Sequence, residues 1–491
     1  MRALFNRLIP IVALLSVVVS LWQLEGLRRG VDISTMQVEL TPVTRYARAD
    51  ADGPVVVIAH GFAGSTQMMQ AYALTLARAG YRVYGFDFLG HGRNPVPMSG
   101  DVTVIDGTTQ LLVDQTLDVI NAVAGPGMPT GVLGHSMATD VLIRAALEPD
   151  GQIGPVVLLS AFSQAVTATE PADMLLISGE WEPHLRAFGR EAVQMIDTQA
   201  DEGALVQLGA VRRAAMSAPW TEHVSILHSR AAQRAALDWF DTSYNRVSQT
   251  NIPASGWWLI GLLAGIVVLT RPLARLLPQR VEVAYPLRAR QLWLVAVAPA
   301  LIAPVLATWL NPNLLPVMVA DYLALHLFFQ GAFGLALLHW FGVRIVGVSA
   351  LGIAALVIWG LGAFGLALDR YGANFIPISE RLWVIAALCI GTLPFMLADA
   401  LVTRGGDAPI WQRWVFRVCF FASLGIAVAL DFEGLFFLIL IAPVMVLFYV
   451  VFGLMGRWVA ARSGPATSGI GLGLILAWAL GVSFPFFAAG G

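Results

Sequence analysis

The chain has 491 residues, of which 57% are hydrophobic and only 13% charged, against roughly 45–50% and about 25% in soluble domains. Its net charge of −2 and the lack of any Lys/Arg-dense block argue against a nucleic-acid partner. The two cysteines, Cys389 and Cys419, both fall in apolar runs, so the more polar part of the chain cannot rest on a disulfide framework.

The first predicted element is an apolar run near 8–24, preceded by Arg2 and Arg7. No small-x-small cleavage signal follows it, so residues 1–30 are expected to act as an uncleaved membrane anchor. Residues 31–248 then read as a soluble domain. Strands are expected at 36–47, 54–59, 81–86, 130–135, 155–160, 173–178 and 213–218, and helices at 66–80, 108–124, 137–147, 185–197 and 225–240. This alternation predicts an α/β layer fold. "PVVVIA", "GVLG" and "PVVLLS" are continuously apolar, as central parallel strands covered on both faces require.

Residues 249–491 form the third region. Eight runs are long enough to span a bilayer, near 252–270, 291–310, 316–338, 345–367, 382–402, 414–431, 434–455 and 469–488. With the N-terminus placed inside, most arginines of the short loops fall on the cytoplasmic side. That arrangement predicts a polytopic all-α membrane domain, with residues 31–248 on the non-cytoplasmic side. Ionisable residues at depth are few: Asp321 and His326, with Arg417 and Asp431 nearer span ends. Asp321 and His326 do not share a helical face at about 100° per residue, so a tether or lipid-presenting role is expected ahead of a proton relay.

Three short motifs carry chemistry. Ser136 in "GHSMA" follows a strand and precedes a helix. It fits a nucleophile on a sharp strand-to-helix turn, which needs small neighbours such as Gly134; it equally fits a serine N-cap. Ala138 stands where glycine is commoner. In "VVVIAHGFAGS", His60-Gly61-Phe62 ends a strand, and a glycine there lets the backbone turn and present an N–H. The backbone N–H groups of Phe62 and Met137 are the candidates for an oxyanion site, with His60 in a supporting role. "GFDFLGHGRN" is expected to be a tight loop with Asp87 bonded to backbone.

HGFAG, DFLGHG and GHSMA, in this order and spacing over roughly residues 36–245, resemble the α/β-hydrolase-fold serine hydrolases. The resemblance implies a mostly parallel sheet and a triad whose acid and histidine follow the serine in that order. In "MLLISGEWEPH" it assigns the acid to Glu182, with Glu180 as competitor, where the family often has aspartate. In "APWTEHVSILH" it assigns the base to His223 and leaves His228 a structural role. Asp140 is then an ordinary helix residue.

The expected activity is cleavage of carboxylic esters, lipids among them, by a membrane-anchored enzyme using Ser136, His223 and Glu182, with no metal or cofactor. The alternatives are an acyltransferase or peptidase with the same triad, or a transporter or scaffold whose hydrolase-like domain only binds. Only about a dozen residues separate the strands ending at Ser160 and starting at Asp173, which leaves no room for a lid domain and predicts an open site.

Overall fold

The structure is a computed structural model that describes residues 2–100, 105–124, 127, 129–149, 152–279, 286–312 and 314–488. It divides into two compact units. One holds Val19–Ile260 together with Asp369–Asn374 and Pro485–Gly491; the other holds Met1–Val18, Gly261–Leu368 and Phe375–Phe484.

After the helix α1 (Arg2–Arg28), the chain enters the α/β unit. Its elements in order are β1 (Asp32–Val38), β2 (Thr41–Ala47), β3 (Val55–Ala59), α2 (Gln70–Arg78), β4 (Arg82–Phe86), α3 (Gln110–Val123), β5 (Thr130–His135) and α4 (Met137–Leu147). They continue with β6 (Ile153–Leu159), β7 (Asp173–Gly179), α5 (Pro183–Gln194), β8 (Leu205–Leu208), β9 (Val211–Ala218) and α6 (Arg230–Ser243). Single 3-10 turns at Thr66–Met69 and Ser225–His228 lead into α2 and α6.

The nine described strands form one sheet in the order β1-β2-β4-β3-β5-β6-β7-β9-β8. From β4 to β9 the neighbours run parallel; the β1/β2, β2/β4 and β8/β9 pairs are antiparallel. Every residue of β3 and β5 is buried, as the uninterrupted apolar runs predict. Burying each Val, Leu or Ile of these strands contributes about 1.5–3 kcal/mol relative to exposure.

Two strand expectations are corrected. Residues 36–47 form a hairpin rather than one strand: Glu39 adopts φ +51°, and the chain turns back so that Val38 pairs with Thr41. The edge strand β8 was not expected; its burial pattern, one buried residue in four, offers little apolar periodicity to read.

Register decides where the site lies. Ala59 pairs with Gly134, His135 with Leu159, Leu159 with Ile177, and Gly179 with Ala218. Five parallel strands therefore end at one edge of the sheet. The chain leaves β3 toward β4 on one side and β5 toward β6 on the other, so the loops after β3 and β5 diverge. In open α/β sheets such a switch point is where ligands bind.

The helical unit continues with α7 (Ser255–Ala274), α8 (Ala289–Leu310), α9 (Ala320–Trp340), α10 (Ala350–Val357), α11 (Gly365–Tyr371), α12 (Ser379–Val402), α13 (Ile410–Leu430), α14 (Phe432–Leu435), α15 (Leu438–Ser463) and α16 (Pro465–Ser483). A wider helical stretch, Ile358–Phe364, joins α10 to α11. Among the described residues nine helical segments, including Leu8–Arg28, are long and apolar enough to cross a membrane. Close helix approach rests on small residues: a Cβ on Gly391 of α12 would lie 2.2 Å from the Ala324 carbonyl oxygen of α9. Asp321 accepts the backbone N–H groups of Leu314 and Leu315, and His326 bonds to the hydroxyls of Tyr322 and Ser423, so the two serve separate local structures.

Candidate active site

Ser136 sits between β5 and α4 with φ +54° and ψ −119°, a conformation an L-residue rarely adopts. Holding it costs on the order of 1–3 kcal/mol. The packing that enforces it is tight: a Cβ on Gly134 would lie 2.6 Å from Leu142 Cδ1 and 3.2 Å from Ala138 Cβ. Ala138 is fully buried, and its methyl group fits because Gly134 has none. Although Ser136 occupies the N-cap position of α4, its side chain makes no capping bond. The Oγ lies instead 2.9 Å from His223 Nε2.

His223 Nδ1 lies 2.6 Å from Glu182 Oε1. The other carboxylate oxygen, Oε2, accepts two bonds, from the Gly179 N–H at 2.6 Å and the Ser160 hydroxyl at 2.7 Å. Burial alone would raise the Glu182 carboxyl, but the bonds from His223, Ser160 and Gly179 outweigh it and hold the group below its ordinary value. Glu182 is 8% exposed, whereas the His223 side chain is 45% exposed. The chain of bonds thus runs from a buried carboxylate to an accessible imidazole and on to a half-buried serine.

Glu180 stands apart: its Oε2 accepts the Trp220 N–H at 2.7 Å and so ties down the 218–223 loop. His228 is also apart, facing the Ser255 hydroxyl at 3.3 Å. Asp140 pairs with Arg144 at 2.8 Å and accepts the Ser163 hydroxyl.

The loop after β3 crosses directly over the serine turn. A Cβ on Gly61 would lie 3.0 Å from both His135 Nδ1 and Ser136 Cβ. The Met137 N–H is the first of α4, where no intrahelical carbonyl reaches it. The Phe62 ring packs edge-on against His91. His60 is buried, accepts the Phe88 N–H on Nε2 at 3.1 Å, and therefore carries its proton on Nδ1, 2.8 Å from the Gly61 carbonyl. Burial holds it neutral, and these bonds fix the loop rather than engage Ser136.

Asp87 Oδ1 accepts the N–H and hydroxyl of Thr66, and its Oδ2 accepts the Arg93 N–H. Gly92, at φ +50°, must be glycine, since a Cβ would lie 2.4 Å from the Asp87 carboxylate. Segments remote in sequence complete this loop within the same unit. Arg93 pairs with Asp369 at 2.6 Å, Phe486 exchanges backbone bonds with Gly90 and Met98, and the Ala488 N–H bonds to the Met98 carbonyl.

Two further residues belong to the network. Ser160 follows β6 with φ +52° and is buried. His135 is buried and donates from Nε2 to the His223 carbonyl at 2.8 Å, fixing the backbone of the base. Burial, aided by the neighbouring His223, pushes its pKa down to about 4. Both stand at strand ends beside motif residues; register alone could have placed Ser160 there. The 161–172 segment has no helix or strand, and Phe162, Trp181, Trp220 and Val224 are exposed on the loops carrying the site.

Comparison with known proteins adds to this geometry. Residues 51–236 match the family model described as serine aminopeptidase, S33. A Variovorax paradoxus protein provisionally named carbamate hydrolase RutD is 26% identical over 123 residues, covering 25% of this chain and 44% of the relative. A monoglyceride lipase homolog of monkeypox virus is 28% identical over 112 residues, covering 23% and 39%. The chain therefore spans less than half the length of these curated relatives. Among solved structures, a CIB-like hydrolase of Thermoplasma acidophilum matches 43% of this chain and 98% of its own at 15% identity and a TM-score of 0.34. Dienelactone hydrolase of Anabaena variabilis matches 44% and 100% at 16% identity and the same TM-score. The protein is an α/β-hydrolase-fold protein, in which a mostly parallel N-terminal sheet domain precedes many long apolar helices.

Proposed function

We propose that the protein is a membrane-anchored serine hydrolase that cleaves carboxylic esters, lipid esters among them. The observation that carries this reading is the unbroken chain from Ser136 Oγ to His223 Nε2 at 2.9 Å and from His223 Nδ1 to Glu182 Oε1 at 2.6 Å. In the proposed reaction His223 takes the Ser136 proton as Oγ attacks the ester carbonyl, while Glu182 holds the imidazole tautomer and steadies its positive form. The N–H groups of Met137 and Phe62 receive the developing oxyanion. Collapse expels the alcohol, protonated by His223, and leaves an acyl group on Ser136. Water, activated by the same histidine, then releases the acid.

The names of the curated relatives, a carbamate hydrolase and a monoglyceride lipase homolog, both fit attack on an acyl-type carbonyl. The exposed aromatic residues Phe162, Trp181 and Trp220 favour an apolar acyl or alcohol group. The arginine distribution favours an α/β domain on the non-cytoplasmic side. A peptidase reading draws on the description of the matching family model alone.

Labelling of the purified full-length chain by a fluorophosphonate probe tests the nucleophile. Ser136→Ala is expected to abolish labelling and ester turnover; retained turnover would sink the assignment. Parallel assays on a p-nitrophenyl ester and an aminoacyl p-nitroanilide separate the esterase from the peptidase.

A further inference from the structure

The helical unit gathers three arginines around a cavity. Arg413 and Arg417 stand four residues apart on α13 and so share a face. Arg457 lies on the same stripe of α15 as Tyr449, two turns further along. With Asp399 of α12 these side chains line a cavity of about 190 Å³. Three arginines and one carboxylate line it, and with Asp407, which acts on Arg413 from outside the lining, the group keeps a formal excess of one positive charge.

Arg417 is neutralised. It forms a two-pronged pair with Asp399, with Nε–Oδ1 and Nη2–Oδ2 both 3.1 Å, and its guanidinium stacks 4.1 Å from the Tyr449 ring centre. Asp399 is thereby spent. The Arg413 Nε and the Tyr449 hydroxyl are buried with no hydrogen-bond partner among the described residues. Such groups are costly in a low-dielectric setting unless something pairs with them. The turn after α12 is shaped around the third arginine: Gly405 and Gly406 have φ +61° and +95°, and a Cβ on Gly406 would lie 2.8 Å from Arg457 Cγ.

We propose that this cavity binds a phosphate-bearing anion. A phosphate supplies several acceptor oxygens and up to two negative charges, which match the unpartnered Arg413 Nε and Tyr449 hydroxyl together with the exposed Arg457 guanidinium. Two sources share this chemistry: the phosphodiester of an anionic phospholipid, as basic pockets between membrane helices accept, and a soluble phosphate. The site is independent of the hydrolase reading, and its test does not use ester turnover.

The full-length chain is reconstituted in nanodiscs of phosphatidylcholine, with and without roughly equal parts phosphatidylglycerol, and bound lipid is read by native mass spectrometry. In a second arm the detergent-purified chain is titrated with inorganic phosphate and its melting temperature followed. Arg413→Gln and Arg457→Gln are compared with Arg344→Gln, an exposed arginine in another loop. Retention of phosphatidylglycerol over phosphatidylcholine, weakened about tenfold or more in the two cavity variants and unchanged in the control, supports the lipid source. A phosphate-dependent rise in melting temperature lost in the same variants, without lipid retention, supports the soluble source. If a glutamine variant fails to fold, Arg413→Lys replaces it, and partial binding is expected because the charge stays and the fork is lost. Wild-type protein that neither prefers phosphatidylglycerol nor responds to phosphate overturns the proposal, as does binding equal in all variants.

Discussion

Replacing Glu182 by glutamine isolates what the carboxylate does. Oε2 accepts two donors, the Gly179 N–H and the Ser160 hydroxyl, while Oε1 meets only His223 Nδ1. A glutamine therefore places its carbonyl oxygen at the Oε2 position, since an NH2 group there would face two donors. Its NH2 then points at Nδ1 and donates to it. The imidazole must carry its proton on Nε2, facing the serine, and cannot accept the Ser136 proton. The charge that steadies the imidazolium is lost as well. Wrong tautomer and lost charge together reduce kcat by about 10⁴ in a serine triad, or about 5.4 kcal/mol at 1.36 per tenfold. KM for a small ester is expected to stay within a few-fold, because Glu182 is itself buried behind His223. The assay is steady-state hydrolysis of p-nitrophenyl butyrate alongside the rate of fluorophosphonate labelling, with melting temperature as a fold control. A loss below about tenfold in kcat with unchanged melting would refute the reasoning, since neither tautomer nor charge would then depend on this residue.

Further outcomes follow from the same geometry. Ser136→Gly is expected to abolish labelling yet raise stability by about 1 kcal/mol or more, because glycine adopts φ +54° without strain; thermal unfolding checks it. Gly134→Ala should destabilise by about 1–3 kcal/mol through the 2.6 Å clash with Leu142, read by the same method. His135 has its folded pKa pushed down from 6.5 to about 4, so the unfolded chain binds more protons between those values. Its contribution is complete above pH 6.5 and declines as pH falls toward 4, by up to roughly 3 kcal/mol. His135→Gln should flatten urea midpoints across that window. The depressed Glu182 carboxyl adds a second acid loss beginning near its ordinary value of 4.5. A cysteine introduced at Asn245 should react with a membrane-impermeant maleimide added outside intact cells; protection until lysis would refute outward placement of the α/β domain.

The central sheet was legible because β3, β5, β6 and β7 are buried on both faces, and that burial is written as unbroken runs of Val, Leu and Ile. The hairpin at 36–47 was not, since its turn at Glu39-Leu40 lacks the Gly, Asn or Asp that marks such turns. β8 was hidden by its exposure. At the candidate site, the meeting of Ser136, Glu182 and His223 follows the motif order, whereas the parts of Ser160 and His135 do not. Their contributions depend on strand register and on a carbonyl contact spanning 88 residues, neither of which leaves a local pattern. The bonds of Asp87 to backbone follow from its place in a loop with glycines at positive φ. The partners of that loop at 369–374 and 486–488 carry no signal in the soluble segment at all.

Those remote partners bear on the order in which the molecule is made. Synthesis runs from the N-terminus, and domains ordinarily fold as units while the rest of the chain is still emerging. Here the loop after β4 obtains Asp369 only once the fifth of the nine apolar spans among the described residues is being made, and Phe486 and Ala488 only after all nine. A nascent chain stopped at residue 260 holds all of Ser136, Glu182 and His223 but leaves the Gly90 carbonyl and both backbone groups of Met98 without these bonds. Completion of this loop in the α/β unit is thereby coupled to synthesis of the apolar helices, so a chain that fails to finish them also leaves the loop without these bonds.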